Sequence, residues 1–232
     1  MVSERSKGNQ PGRIAVLFSG GLDSAVLVAH AARQGRVQPL YVSTGLAWER
    51  EEQEMAGRLF ASGALDTGVD PLVALRFDMT DVYPASHWAV RGEAPAFDTP
   101  DEAVYLDGRN IVLLSKAAIF AARAGIVRLM IGPLSGNPFP DATPEFFEQM
   151  AHGLSLGLAA PIAIEAPFST MTKAEVIVLG RGLGVPLELT LSCMQPRNGR
   201  HCGRCSKCRE RRDAFLAAGI PDPAAYASTP PR

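Results

Sequence analysis

The junction at residues 13–34, where an apolar run ends directly in a glycine pair, restricts the fold of this chain more than any other feature. Arg13 to Phe18 reads Arg-Ile-Ala-Val-Leu-Phe, the pattern of a short strand buried on both faces. Ser19-Gly20-Gly21-Leu22-Asp23-Ser24 follows at once, and Leu22 to Gln34 then offers Ala, Val and Leu at helical spacing. In an open parallel sheet, ligands collect where strand ends feed helix N-termini. Gly20 and Gly21 let backbone N–H groups approach phosphate oxygens without a Cβ in the way, and the helix presents the positive end of its dipole. Ser19 and Ser24 add hydroxyl donors. Asp23 is repelled by phosphate unless it binds Mg²⁺ or a water, so its place inside an anion cradle is informative. A Gly-Gly turn also forms without a ligand, and the full six-residue string therefore carries more weight than the glycine pair.

The rest of the chain alternates strands and helices. Val37 to Ser43, Leu72 to Phe77, Val127 to Ile131 and Ile162 to Ala166 read as strands. Trp48 to Leu59 reads as a helix with Glu and Arg on its outer face. Asn110 to Ala124, Pro144 to Leu156 and Thr172 to Gly182 read as further helices, with Thr143-Pro144 as one start signal and Thr170 or Thr172 as the N-cap of the last. This order predicts an α/β sandwich with a mostly parallel sheet over residues 13–190. Residues 1–12 read as a flexible N-terminus, 191–218 as a small appendage ending in a short helix, and 219–232 as a loosely held tail. Between Thr80 and Gly108 the pattern dissolves around Pro84, Pro95 and Pro100, which predicts a functional connection such as a lid.

With 47% hydrophobic and 20% charged residues, the composition is that of a folded globular chain. Apolar stretches such as Ile14 to Phe18 fall far short of the roughly 20 residues a bilayer span needs. The polar N-terminus lacks the apolar run of a secretory signal, so a cytoplasmic location with no membrane partner is expected. Net charge is −1, but Arg197 to Arg212 holds seven basic residues against Glu210 alone. That segment either faces an anion or is a solvated helix face.

All four cysteines, Cys193, Cys202, Cys205 and Cys208, fall within 16 residues. Four thiolates are the number a closed tetrahedral zinc site needs, and the two Cys-x-x-Cys spacings let tight turns aim sulfurs at one ion, with Gly203 suited to the turn. Nearby Arg200, Arg204, Lys207 and Arg209 can offset the excess negative charge. An iron-sulfur centre stays open on spacing alone. His201, with four cysteines at hand, reads as a surface residue.

Ser19 to Ser24 resembles the signature of the PP-loop ATP pyrophosphatases, of adenine-nucleotide alpha-hydrolase-like fold, which cleave ATP to AMP and pyrophosphate. No Walker-type Gly-x-x-x-x-Gly-Lys-Ser/Thr competes with it. Together with the cysteine cluster, Gly108-Arg109-Asn110, Pro140-Asp141, Pro144-Glu145-Phe146, Thr172-Lys173-Ala174-Glu175 and Leu183 to Glu188, the chain from Arg13 to Phe215 resembles the 7-cyano-7-deazaguanine synthase family of queuosine biosynthesis. The resemblance implies that a deazapurine carboxylate is adenylated, that ammonia displaces AMP, and that a second ATP dehydrates the amide to a nitrile. It implies ATP with Mg²⁺ and a structural Zn²⁺ on Cys193, Cys202, Cys205 and Cys208. Phe18, Ser19, Gly20, Gly21, Leu22, Asp23, Ser24, Gly108, Arg109 and Asn110 then fall to ATP, with Asp23, Lys173 and Arg109 as catalytic candidates and Asp141 and Glu145 at the substrate.

The chain departs from that family at two places. Thr44 to Arg50 replaces an aromatic-Gly-Gln-Arg-like stretch, and Ser135 to Phe146 carries two extra residues, with Thr143 where an arginine is expected. A paralogue acting on another acid or acceptor is therefore a live alternative. Arg109 and Lys173 can equally be surface ion-pair residues, and Glu145 a first-turn helix acid. A tRNA-thiolating enzyme needs a cysteine to carry sulfur, whereas all four here are assigned to metal. A zinc-ribbon nucleic-acid binder using the 197–212 patch leaves the phosphate loop unexplained. A homodimer is compatible with the sequence and not decided by it.

Overall fold

Parallel pairing starts at the first strand, β1 (Ile14–Leu17), which lies between β2 (Val37–Ser43) and β4 (Arg128–Met130). The computed structural model describes residues 12–65 and 67–229. The expected flexible N-terminus therefore lies, except for Gly12, outside the described residues. β3 (Val73–Arg76) flanks β2 and β5 (Ala163–Glu165) flanks β4, giving the order β3-β2-β1-β4-β5 with every pair parallel. The chain runs outward in one direction from β1 to β3 and in the other from β4 to β5. Strand order thus reverses between β1 and β4, and a crevice opens there beyond the strand ends.

Alternation along β1 divides the core. Ile14, Val16 and Phe18 pack under α1 (Leu22–Ala32), α2 (Glu49–Ala61), α6 (Lys173–Gly182) and α7 (Ser206–Ala217). Ala15 and Leu17 pack on the other face, under α4 (Arg109–Arg123) and α5 (Pro144–Leu158). The α/β sandwich read from the sequence is the observed architecture. Thr172 is the N-cap of α6, in a capping box with Glu175. No helix among the described residues is long and apolar enough to cross a membrane.

Three local expectations are corrected. α2 does not keep its acids outside: Glu49 and Glu52 are buried. The reason for Glu49 is that its carboxylate accepts from Ser43 Oγ (2.7 Å), Thr44 N (2.7 Å), Thr44 Oγ1 (2.9 Å) and Gly45 N (3.2 Å), satisfying the end of β2. The connection after Thr80 is not structureless. It contains α3 (Trp88–Arg91) and a 3₁₀ turn at Asp101–Val104, built around Leu46, Trp48, Met79, Tyr83 and Leu106. The tail is anchored: Asp222 pairs with the fully buried Arg211 (3.0 Å) and accepts from Tyr226 Oη (2.6 Å), because a buried guanidinium requires an anion.

Candidate active site and metal centre

The turn between β1 and α1 exists because Gly20 adopts φ +78°, a left-handed conformation that side chains with Cβ atoms resist. A Cβ there would also lie 2.9 Å from the backbone oxygen of Glu52. Gly21 is the N-cap of α1 and no side chain caps that helix, so its first N–H groups face the crevice. Ser24 Oγ donates to the Gly21 carbonyl (3.0 Å) and accepts from Ser19 N (3.2 Å), closing the loop on itself.

The loop opens into a cavity of about 510 Å³. Phe18, Ser19, Gly21, Leu22, Asp23, Ser24, Arg109, Asn110 and Lys173 all reach its wall. The structure thus brings together the loop, the start of α4 and the start of α6, which lie up to 155 residues apart in the chain. Lys173 Nζ is 3.2 Å from Asp23 Oδ2 and also pairs with Glu210, whose second oxygen meets Lys207 Nζ at 2.6 Å. Burial lowers the Lys173 pKa, but Asp23 and Glu210 outweigh it and hold the ammonium more firmly charged than usual. Burial pushes the Glu210 carboxyl up, while Lys173 and Lys207 prevail and bring it down to about 2. Four buried polar atoms of wall residues have no hydrogen-bond partner among the described residues: Asp23 Oδ1, Asp101 Oδ1, Arg109 Nε and Ser192 Oγ. Buried polar groups in folded proteins are nearly always satisfied, so these atoms, Asp23 Oδ1 and Arg109 Nε beside the phosphate loop above all, are suited to a ligand.

Other predicted residues lie elsewhere. Gly20 and Gly108 shape backbone, Gly108 as the N-cap of α4. Asp141 does not line the cavity: it is buried, and its carboxylate accepts from Asn110 N (3.0 Å) and Asn110 Nδ2 (3.2 Å), filling the donor-rich start of α4. Glu145 is exposed in the first turn of α5, outside the cavity. Thr143 is also exposed and caps α5, accepting from Phe146 N at 3.2 Å. The part of that loop on the cavity wall is Ser135 to Phe139.

Several wall residues were missed from sequence. Glu52 accepts from Tyr41 Oη (2.9 Å) and Trp48 Nε1 (3.1 Å), and Trp48 stacks on Trp88 with centroids 5.6 Å apart and planes 7° apart. Burial, opposed by Arg109 and the Tyr41 hydrogen bond, lifts the Glu52 carboxyl to about 7. The available signal for Glu210 was its standing as the lone acid among seven basic residues. Part of that basic segment is spent inside the protein, Arg211 on Asp222, Lys207 on Glu210, and Arg209 on the Thr99 carbonyl (3.0 Å) and Asp101 (3.8 Å), while Arg197, Arg200 and Arg204 are exposed.

The four cysteines are buried together, with Sγ separations of 3.9 Å (Cys193 to Cys205), 3.8 Å (Cys202 to Cys208) and 3.5 Å (Cys205 to Cys208). Thiolates about 2.3 Å from one tetrahedral ion lie about 3.8 Å apart, so the sulfurs fit a single zinc-sized ion. A multi-iron cluster holds its thiolates further apart. Backbone N–H groups of Cys202 (3.2 Å) and Gln195 (3.3 Å) point at Cys193 Sγ, and that of Arg204 (3.3 Å) at Cys202 Sγ, offsetting thiolate charge. His201 is not a surface residue. It is buried behind the cluster, its Nε2 accepting from Ser192 N (3.1 Å) and its backbone pairing with Ala225 and Ala227.

A parallel sheet whose β1–α1 loop carries Ser-Gly-Gly-Leu-Asp-Ser at the switch point defines a nucleotide-cleaving enzyme of the PP-loop ATP pyrophosphatase class. Within that class, residues 13–219 match the family model of queuosine biosynthesis protein QueC, and the chain belongs to this enzyme family. It is 38% identical over 229 residues to a 7-cyano-7-deazaguanine synthase of Methanothrix thermoacetophila, covering 93% of this chain and 99% of the relative. It is 36% identical over 228 residues to the enzyme of that name from Anaeromyxobacter sp. (strain Fw109-5), covering 92% and 96%.

Proposed function

We propose that this chain converts 7-carboxy-7-deazaguanine and ammonia to 7-cyano-7-deazaguanine in the cytoplasm, driven by cleavage of ATP to AMP and pyrophosphate. The observation that carries this is the convergence on one cavity of the phosphate loop, the Lys173–Asp23 pair and the unpartnered Arg109. The substrate carboxylate attacks the α-phosphorus of ATP, and pyrophosphate departs. The N–H groups of the loop and α1, with Lys173 and Lys207, face the charge that develops on the leaving group. Arg109 is suited to hold the carboxylate or the α-phosphate in line, since a guanidinium offers forked donors to either. Ammonia then displaces AMP to give the amide, and a second adenylation, at the amide oxygen, precedes loss of AMP as the nitrile forms. No nucleophilic side chain is needed.

Mg²⁺ bound with ATP would neutralise phosphate charge, and the unpartnered Asp23 Oδ1 is an anionic oxygen fitted to hold it. Zn²⁺ on Cys193, Cys202, Cys205 and Cys208 is structural, since all four ligands are protein thiolates and no position is left open. A second reading, a different planar acid with the same ATP chemistry, draws support from Ser135 to Phe139, which departs from the family pattern and lines the cavity. Incubation with ATP, ammonia and 7-carboxy-7-deazaguanine is expected to yield AMP, pyrophosphate and the nitrile. ADP and phosphate as products would overturn the ATP chemistry, and AMP release stimulated only by another acid would transfer the assignment to the second reading.

A further inference from the structure

Four carboxylates stand on the cavity wall, and three have cations beside them: Asp23 has Lys173, Glu210 has Lys173 and Lys207, and Asp101 has Arg209. Glu52 is the fourth. Among the described residues it forms no ion pair, and its Oε2 and Oε1 are held by the Tyr41 hydroxyl and the Trp48 indole N–H. A carboxylate oxygen has two lone pairs, so each retains acceptor capacity toward the cavity. The charged and titratable groups facing Glu52 are Tyr41 from β2, Glu49 one turn earlier on α2, and Arg109 from α4.

The proposed reaction requires a proton acceptor at this cavity. When ammonia adds to the acyl adenylate, a C–N bond forms and the C–O bond to AMP breaks, its electron pair leaving on the phosphate oxygen. The nitrogen, then cationic, must lose a proton to become an amide. We propose that Glu52 takes that proton. The two lysines on the wall are already paired cations, no histidine among the described residues lines the cavity, and Tyr41 is held as a neutral phenol by burial and by Glu52 and Glu49. A carboxyl lifted to about 7 also exchanges protons readily in neutral solution. The amide nitrogen loses its two protons on the way to the nitrile, and Glu52 faces the same cavity for those transfers, releasing each proton to solvent in between.

The inference rests on the adenylation reading, and one experiment separates the two. Exchange of pyrophosphate into ATP, with 7-carboxy-7-deazaguanine and no ammonia, reports adenylation. Nitrile formation, with ammonia present, reports the steps that need a base. Glu52→Gln is expected to lower nitrile formation about 100-fold more than it lowers exchange. At constant free ammonia, wild-type kcat should fall below about pH 7, and this fall should vanish in the variant. Tyr41→Phe removes a hydrogen bond that favours the charged carboxylate, so the fall should move to higher pH. If Glu52→Gln does not fold, the Tyr41→Phe profile carries the test alone. Equal loss of exchange and nitrile formation, or a pH profile unchanged in whichever variants fold, overturns the role of Glu52. Absence of exchange in the wild type overturns adenylation of 7-carboxy-7-deazaguanine instead.

Discussion

Lys173 Nζ stands 3.2 Å from Asp23 Oδ2, so the acid of the phosphate loop meets ATP as one half of an ion pair. This resolves the contradiction of a carboxylate inside an anion cradle. The same ammonium is shared with Glu210, and Glu210 in turn holds Lys207, so two cations are kept at the loop by two anions before any phosphate arrives. Pyrophosphate, carrying more charge than a single carboxylate, can compete with Glu210 for both lysines.

Removing either half of that pair has different consequences. Asp23→Asn leaves Lys173 paired with Glu210, so the fold should survive with little change in thermal midpoint while AMP release falls at least about 100-fold. Lys173→Met leaves Asp23 and Glu210 without their shared cation in a largely buried place. It should cost about 1–3 kcal/mol of stability, below the figure for a fully buried pair, as well as the activity. Thermal unfolding and a pyrophosphate-release assay on both variants check this. Full activity in Asp23→Asn would remove Asp23 from the site.

Glu52 makes a stability prediction independent of its role in turnover. Its folded pKa, about 7, is raised from 4.5, so its protonated form is the one the fold favours. The stability this contributes is fully present below pH 4.5 and is lost as pH rises through about 7. Glu52→Gln mimics the protonated form at every pH. The variant should therefore gain on the wild type between pH 5 and pH 8 by about 1–3 kcal/mol in urea unfolding. A constant difference between the two across that range would show that the burial of Glu52 is not felt as charge.

The cysteine cluster should hold about one zinc per chain. Cys205 is the N-cap of α7, the helix that carries Lys207 and Glu210 to the cavity, and Ser206 N donates to the Pro95 carbonyl in the connection above the site. Chelation or Cys205→Ser should consequently lower the unfolding midpoint and weaken ATP use together, although none of the four cysteines lines the cavity. Freshly purified protein with four titratable thiols and no metal by elemental analysis would refute the site.

What the sequence made legible is what local pattern encodes. The β1 run, the glycine turn and α1 are contiguous, and the cysteines lie within 16 residues, so their chemistry could be read directly. Helix faces were less legible, because charge pattern assigns every acid outward. Glu49 is drawn inward by N–H and hydroxyl donors at the end of β2, and Glu52 by Trp48 one turn earlier and by Tyr41, a partner that appears only once β2 and α2 pack. Family likeness places Asp141 at the substrate, but its carboxylate accepts from Asn110, 31 residues away, and it lies off the cavity wall, a pairing that local pattern does not encode. The tail was illegible because Arg211 looks like any basic surface residue until its burial beside Asp222 is seen.

Thr143 yields the prediction on which sequence and structure disagree most directly. Family likeness puts an arginine there, which would make Thr143→Arg a restoration of the substrate site. In the fold, Thr143 is exposed, lies off the cavity wall and serves as the N-cap of α5. Arginine cannot accept the bond from Phe146 N, so Thr143→Arg should cost about 1 kcal/mol of stability and bring no gain in nitrile formation. Specificity should respond instead at Phe139, which lines the cavity and stacks on Tyr105 with centroids 5.0 Å apart. Phe139→Ala should raise KM for the acid about tenfold, corresponding to about 1.4 kcal/mol of lost aromatic contact, with a smaller change in KM for ATP. Steady-state kinetics with each substrate varied in turn separates the two. A gain of nitrile formation in Thr143→Arg, together with an unchanged acid KM in Phe139→Ala, would place the acid at the start of α5 and not beside the 135–139 segment.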